Sequence, residues 1–138
     1  MNFGEAAVQR FLDGRRVMSL ATVNPNGGPL VTPVWFVHTR DALYLYSMTA
    51  SRKVRNIVRE PRVSVAVEHG ERAADIRFVI IRGTAAVVND DREIEAATRA
   101  LLDRYGTDLR DRWGMPQMPS DRSAVRITPE VVFARGVA

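Results

Sequence analysis

Residues 49–62 read TASRKVRNIVREPR, and Lys53 in this stretch is the only lysine of the chain; every other basic residue is arginine. It directly follows Ser51 and Arg52, where a helix over 52–60 is expected to begin, because Ser51 is a good N-cap and Pro61 ends the helix. Arg52, Lys53 and Arg55 crowd its first turns. A helix N-terminus already carries roughly half a positive charge, so cations there are unfavourable by a few tenths of a kcal/mol each. A bound anion reverses that sign. Free backbone N–H groups, a serine hydroxyl and two cationic side chains make a phosphate site, with lysine as a mobile point charge and arginine as a fork. At about 100° per residue, Val54, Ile57 and Val58 form the expected buried stripe. Arg52, Arg55 and Arg59 lie opposite it, with Lys53 and Asn56 on one flank. Ser51, Arg52, Lys53 and Asn56 are therefore the phosphate candidates, and Arg55 and Arg59 read as solvated.

The elements around this stretch are mostly strands. EAAVQRFLD (5–13) suits a short amphipathic helix stopped by Gly14. VMSLATV (17–23), LVTPVWFVH (30–38) and LYLYSM (43–48) are strands separated by the turn-forming NPNGGP and TRDA. VSVAVE (63–68) and RFVIIRGTAAVV (77–88) follow, with Gly83 marking a bend or bulge. Asn89 or Asp90 caps a helix from about Asp91 to Tyr105, which Gly106 stops. Residues 107–121 read as irregular, and 123–136 as one or two last strands. About six strands with few intervening helices argue for an antiparallel barrel in one domain, 1–138. Pro33 cannot donate to a ladder and belongs on an edge or at a bulge. From the residues alone it is a plain edge-strand proline. Two readings are open for Trp113, Met115 and Met118: they cover the ring or line a substrate pocket, or, the preferred reading, Trp113 packs the long helix against the barrel and the methionines fill gaps. Tyr44 and Tyr46 are strand residues at a barrel or dimer surface.

Composition narrows the function. The chain is 46% hydrophobic and 26% charged, with net charge +4 and no cysteine. That is ordinary globular material without disulfides or thiolate chemistry. The two histidines, His38 and His69, belong to no ligand-spaced cluster, so no metal site is expected. No apolar run is long enough for a membrane span, and the first residues do not read as a signal peptide. A cytoplasmic protein is expected. The basic balance suits an anionic partner. Nucleic acid is disfavoured, because no aromatic residue is interleaved with the basic ones at 52–62.

Three blocks carry a resemblance: SLATVNPNGGPLVTPVWFV, LYLYSMTASRKVRNIVREPRVSVAV and RFVIIRGTAAVV. In order they resemble the pyridoxamine-phosphate-oxidase-like split barrels, the flavin/deazaflavin oxidoreductases. The match runs from about residue 17 to residue 88, more weakly in the last strand. The resemblance implies a mainly β fold, a six-stranded antiparallel split β-barrel, forming homodimers with the cofactor in a groove at the interface. It implies Ser47, Thr49, Ser51, Arg52 and Lys53 around the cofactor phosphate and Asn56 near its tail. It places Thr32, Pro33, Val34 and Trp35 beside the tricyclic ring. FMN-dependent pyridoxamine-phosphate oxidases carry a basic second strand, whereas LVTPVWFV has no basic residue. The blocks look closer to the actinobacterial branch that uses the deazaflavin coenzyme F420, whose acidic tail Arg55 or Arg59 would meet. The implied activity is hydride transfer from reduced F420 to a small conjugated electrophile, with FMN as the alternative cofactor. A non-catalytic F420- or FMN-binding protein is the rival class. No side chain stands out as catalytic, which suits a site where the cofactor carries the chemistry.

Overall fold

The computed structural model describes residues 1–138. Its elements are α1 (Ala6–Asp13), β1 (Val17–Val23), β2 (Pro29–Trp35), β3 (Val37–His38), β4 (Leu43–Met48), α2 (Arg52–Arg59), β5 (Arg62–His69), β6 (Arg77–Val87), α3 (Asp91–Trp113) and β7 (Arg122–Arg135). The strands form one sheet in the order β2-β1-β5-β6-β7-β4-β3, antiparallel at every pairing. β2 and β3 lie at opposite ends of that order, yet only Phe36 separates them in sequence. The chain itself thus curls the sheet toward closure. The fold is a mainly β split barrel, as expected. It has seven strands rather than six because the segment expected as one strand breaks at Phe36. Leu20, Leu45, Val65, Ile81 and Ile127 alternate inward along their strands and fill the interior.

A break in a strand leaves backbone groups unpaired, and buried ones must find partners. Tyr105 of α3 supplies them. Its hydroxyl accepts from the Phe36 N–H at 3.0 Å and lies 2.8 Å from the Phe36 carbonyl and 2.6 Å from the Arg16 carbonyl, to which it donates. The Tyr105 ring stacks on Trp35 at 4.7 Å and 5°. Tyr105→Phe keeps the stack but strands the Phe36 N–H, so a loss of about 1–3 kcal/mol is expected. Urea unfolding of the two proteins measures it.

Gly83 marks an irregularity, as its position in a long strand suggests. The β6–β7 register shifts between Arg82, opposite Val131, and Gly83, opposite Pro129. The extra residue, Glu130, flips the side-chain alternation of β7. Val125 and Ile127 point into the core before it, whereas Val131 and Phe133 are exposed after it.

Both later helices depart from expectation. α2 buries Val54, Asn56 and Ile57, and leaves Val58 71% exposed. Its inner face is turned toward Lys53, because Asn56 donates to Thr22 Oγ1 at 3.1 Å and Asn24 Oδ1 at 3.0 Å. α3 does not stop at Gly106. That residue adopts φ 47°, ψ −118°, a conformation open essentially to glycine alone, and the helix resumes in a new direction through Trp113. Residues 107–113, expected to be irregular, are helical. Tyr44 and Tyr46 are not at an open surface either. α3 covers them, and the Tyr46 hydroxyl bonds Thr98 Oγ1 at 2.7 Å.

Candidate functional site

β4 pairs with β3 only at Leu43 and Tyr44, so the rest of its edge faces the end of β2 without a ladder partner. A cavity of about 460 Å³ opens at this split. Pro33, Val34 and Trp35 wall it from β2, and Tyr46 and Ser47 from β4. Ser51 and Lys53 enter from the start of α2. Leu109, Arg112 and Trp113 enter from α3 beyond the Gly106 kink.

The phosphate candidates divide. Ser51 caps α2 by accepting from the Val54 N–H at 3.3 Å, and its hydroxyl lies 3.1 Å from Ser47 Oγ. Lys53 Nζ donates to the same Ser47 Oγ at 3.2 Å. Lys53 forms no ion pair, and its burial lowers its pKa from the usual 10.5. A half-buried ammonium held by a single hydroxyl, with no carboxylate partner, is electrostatically incomplete. Arg52 is exposed and points to no partner. Thr49 turns the other way, its hydroxyl 2.7 Å from Ser123 Oγ, beside a smaller hollow flanked by Arg55 and Arg59. Both amide hydrogens of Asn56 are committed to Thr22 and Asn24, and its carbonyl oxygen accepts from Arg59 at 3.2 Å. Arg59 also donates to the Val23 carbonyl, so it is tied down rather than simply solvated. Of the ring candidates, Pro33, Val34 and Trp35 line the cavity and Thr32 does not; it lies opposite Leu20 in the ladder, its hydroxyl buried without a partner.

Pro33 lies on β2, at one end of the sheet order, as an edge proline should. Trp113 packs edge-on against Tyr46 at 6.1 Å and 73°, so it joins helix to barrel as expected while also walling the cavity. Leu109 and Arg112 escape the sequence reading, because their segment reads as irregular. The signal available was the apolar and basic spacing of LRDRW (109–113), three residues after Gly106.

α3 is fixed over the site at its other end. Asp90 caps it, accepting from the backbone of Arg92 at 2.8 Å and Glu93 at 3.2 Å. The Tyr44 hydroxyl donates to Glu93 Oε2 at 2.6 Å, and Arg126 reaches both Glu93 oxygens at 2.7 and 2.8 Å. Burial first, then Glu93, pushes the Tyr44 pKa up to about 12. The Tyr44 hydroxyl, then Arg126, holds the Glu93 carboxyl below its ordinary 4.5. A carboxylate lowered in the fold stabilises it fully above the ordinary value and loses that contribution as pH falls through the lowered one. The melting temperature is therefore expected to drop below pH 4.5. Glu93→Gln is expected to melt lower at pH 7 and to drop less on acidification. Thermal melts across that range test both.

Hydroxyls, an uncompensated ammonium and aromatic walls around a space of this size fit a flat, phosphorylated cofactor. A larger, open hollow of about 750 Å³ lies at the β5–β6 turn, among His69, Arg72, Arg77 and Arg135. It is mainly polar and holds none of the phosphate or ring candidates.

The family model described as pyridoxamine 5'-phosphate oxidase matches residues 5–136. The heme oxygenase HutZ of Vibrio cholerae is 28% identical over 96% of this chain and 76% of its own length. The crystal structure of a conserved hypothetical protein from Mycobacterium tuberculosis superposes with a TM-score of 0.82 at 29% identity, covering 94% of this chain and 82% of that one. An F420 reductase superposes with a TM-score of 0.70 at 25% identity, over 91% of this chain and 94% of its own.

Proposed function

The chain belongs to the pyridoxamine 5'-phosphate oxidase family, and from that premise we propose that it is an F420-dependent oxidoreductase. Coenzyme F420 binds in the β2–β4 split, at a homodimer interface, and the acceptor is a small conjugated electrophile. The observation that carries this reading is Lys53, half-buried and without a counter-ion beside the hydroxyls of Ser47 and Ser51. A cofactor phosphate completes that charge. F420 is preferred to FMN because β2 has no basic residue, and because the F420 reductase shares the fold over most of both chains.

Bound F420 supplies the hydride; the protein binds, orients and dries the site. Lys53, Ser47 and Ser51 hold the phosphate. Val34 and Trp35 wall the ring. Leu109 and Trp113 exclude water from above.

The outer face of the sheet supports a dimer. Register aligns Pro33, Ser19, Ala66, Ile80 and Phe133 in one row, and Val31, Ala21, Ser64, Arg82 and Val131 in the next. Arg82 is the only charge in the two rows. Val31 is 62% exposed and Phe133 53%. A broad face so poor in charge suits a second copy. Pro33 belongs to both this face and the cavity, so the partner finishes the groove wall.

Equilibrium titrations with F420, FMN and haem test the reading. Tighter binding of F420 than of FMN by tenfold or more, about 1.4 kcal/mol, supports it. A preference for FMN moves the protein to flavin chemistry in the same groove. Haem is the third arm because of the Vibrio relative. Both ring nitrogens of His38 are engaged, by Gln9 at 2.9 Å and Asp13 at 2.7 Å, whereas the exposed His69 has only its Nδ1 engaged, by Arg15, and is the axial candidate through Nε2. Haem binding that His69→Ala abolishes, with no F420 binding, overturns the proposal.

A further inference from the structure

We propose that Arg112 and Trp113 are the specificity-determining residues of the cavity, selecting a flat conjugated acceptor that bears a carboxylate. The inference rests on the F420 reading for its account of Lys53, and on separate observations for Arg112.

The first observation is the kink. At φ 47°, ψ −118°, Gly106 breaks the direction of α3. The turn after it brings Leu109, Arg112 and Trp113 onto the cavity wall, with Leu101 from before the kink. A helix that stopped at Gly106 would leave this side of the cavity open.

The second is pairing. Four residues before Arg112 stands Asp108, the position from which an acid pairs with a base on a helix. Asp108 is taken instead by Arg16, at 2.9 Å. Arg112 makes no hydrogen bond and no ion pair through its side chain. Arg122, the other arginine of the cavity, is neutralised by Asp121 at 2.8 Å. No carboxylate side chain lines the cavity. Two cations of the cavity thus have no protein counter-ion: Lys53 of α2, which is half-buried, and Arg112 of α3, which is exposed and solvated in the free protein. A cofactor phosphate answers Lys53. The guanidinium fork, suited to bidentate carboxylate recognition, remains for the second ligand.

The third is shape. Trp113, Tyr46 and Trp35 all face the cavity, and Trp35 is held by its stack on Tyr105. Aromatic walls beside a free guanidinium select a planar apolar body with an anionic edge.

The test uses 1,4-naphthoquinone-2-carboxylic acid and its methyl ester, two acceptors that differ in the charge at one edge. Their binding is followed by tryptophan quenching at physiological salt, with and without F420. The wild type is expected to prefer the acid by about tenfold, as a charge-assisted contact of modest exposure provides. Arg112→Gln removes the preference, and Arg112→Lys restores part of it. Equal binding of acid and ester by the wild type overturns the proposal. So does a preference that survives in Arg112→Gln, which would leave Arg112 as a partner of the helix C-terminus alone. F420 binding, read by its own fluorescence in the same samples, separates the two assignments. Intact F420 binding without acid preference removes only the role of Arg112. Acid preference without F420 binding removes only the cofactor reading.

Discussion

Lys53→Met is expected to weaken F420 binding roughly 10- to 100-fold, the effect of losing one charge-assisted phosphate contact. The same substitution is expected to raise slightly the melting temperature of the ligand-free protein. The two effects oppose each other for one reason. In the free protein the ammonium is partly buried with only Ser47 as a partner, and burial lowers its pKa. A lowered lysine pKa means that the protonated side chain destabilises the fold. That penalty applies below the lowered value and is relieved as pH rises through it. A thioether of similar length removes the penalty and fills the same space. Ligand binding carries the opposite sign. An anion favours the charged lysine, so F420 affinity is expected to fall in the wild type as pH rises through the lowered pKa. In Lys53→Met that pH dependence disappears. Fluorescence titrations between pH 7 and about 10, with melts of the free protein, measure all three effects. A mutant that binds as tightly as the wild type, with the same pH profile, sinks the phosphate role.

Gly83→Ala is expected to be the most damaging methyl group in the chain. A Cβ there would overlap the Thr128 carbonyl oxygen and lie 3.0 Å from its carbon and 3.2 Å from Pro129 Cα. These are backbone atoms held in the β6–β7 ladder and cannot rotate away. Relief requires the bulge to move, and with it the register of β7 on both its neighbours. A loss of about 3–5 kcal/mol is expected, against a total stability of about 5–15 kcal/mol for a domain of this kind. Gly14→Ala is the control. Its Cβ meets only the Phe11 carbonyl at an ordinary 3.7 Å, and its φ is −83°, so a change within about 0.5 kcal/mol is expected. Chemical denaturation of both variants makes the comparison.

Local features were the legible ones. Val17–Val23 and Leu43–Met48 stand where alternation between turn residues places them, because both signals lie within the segment. The break at Phe36 was not legible, since it depends on a hydroxyl sixty-nine positions away. The inner face of α2 was misjudged for a similar reason. Counting apolar side chains ranks Val58 above Asn56, yet Thr22 and Asn24 on and beside another strand draw Asn56 inward. The lone lysine drew attention to α2, and Lys53 does enter the cavity. Asn56, chosen by the same argument, instead fastens α2 to the barrel. Gly106 was read as a full stop when it is a corner, so Leu109 and Arg112 on the cavity wall beyond it went unseen. Glycine marks a change of direction in a sequence without saying whether helix follows.

β7 is flanked in the sheet by β6 on one side and β4 on the other. Its partners β4 and β6 are complete by residues 48 and 87, whereas β7 begins at Arg122. During synthesis, at about 5–20 residues per second, those strands therefore wait seconds for the segment that joins them. Until it leaves the ribosome, β4 has only the two-residue β3 to pair with, and β6 presents an apolar open edge. Loop closure across such separations is slow, and open edges invite pairing with other chains. A nascent chain arrested before residue 122 is thus expected to bind chaperones that cover extended segments more than the released chain does.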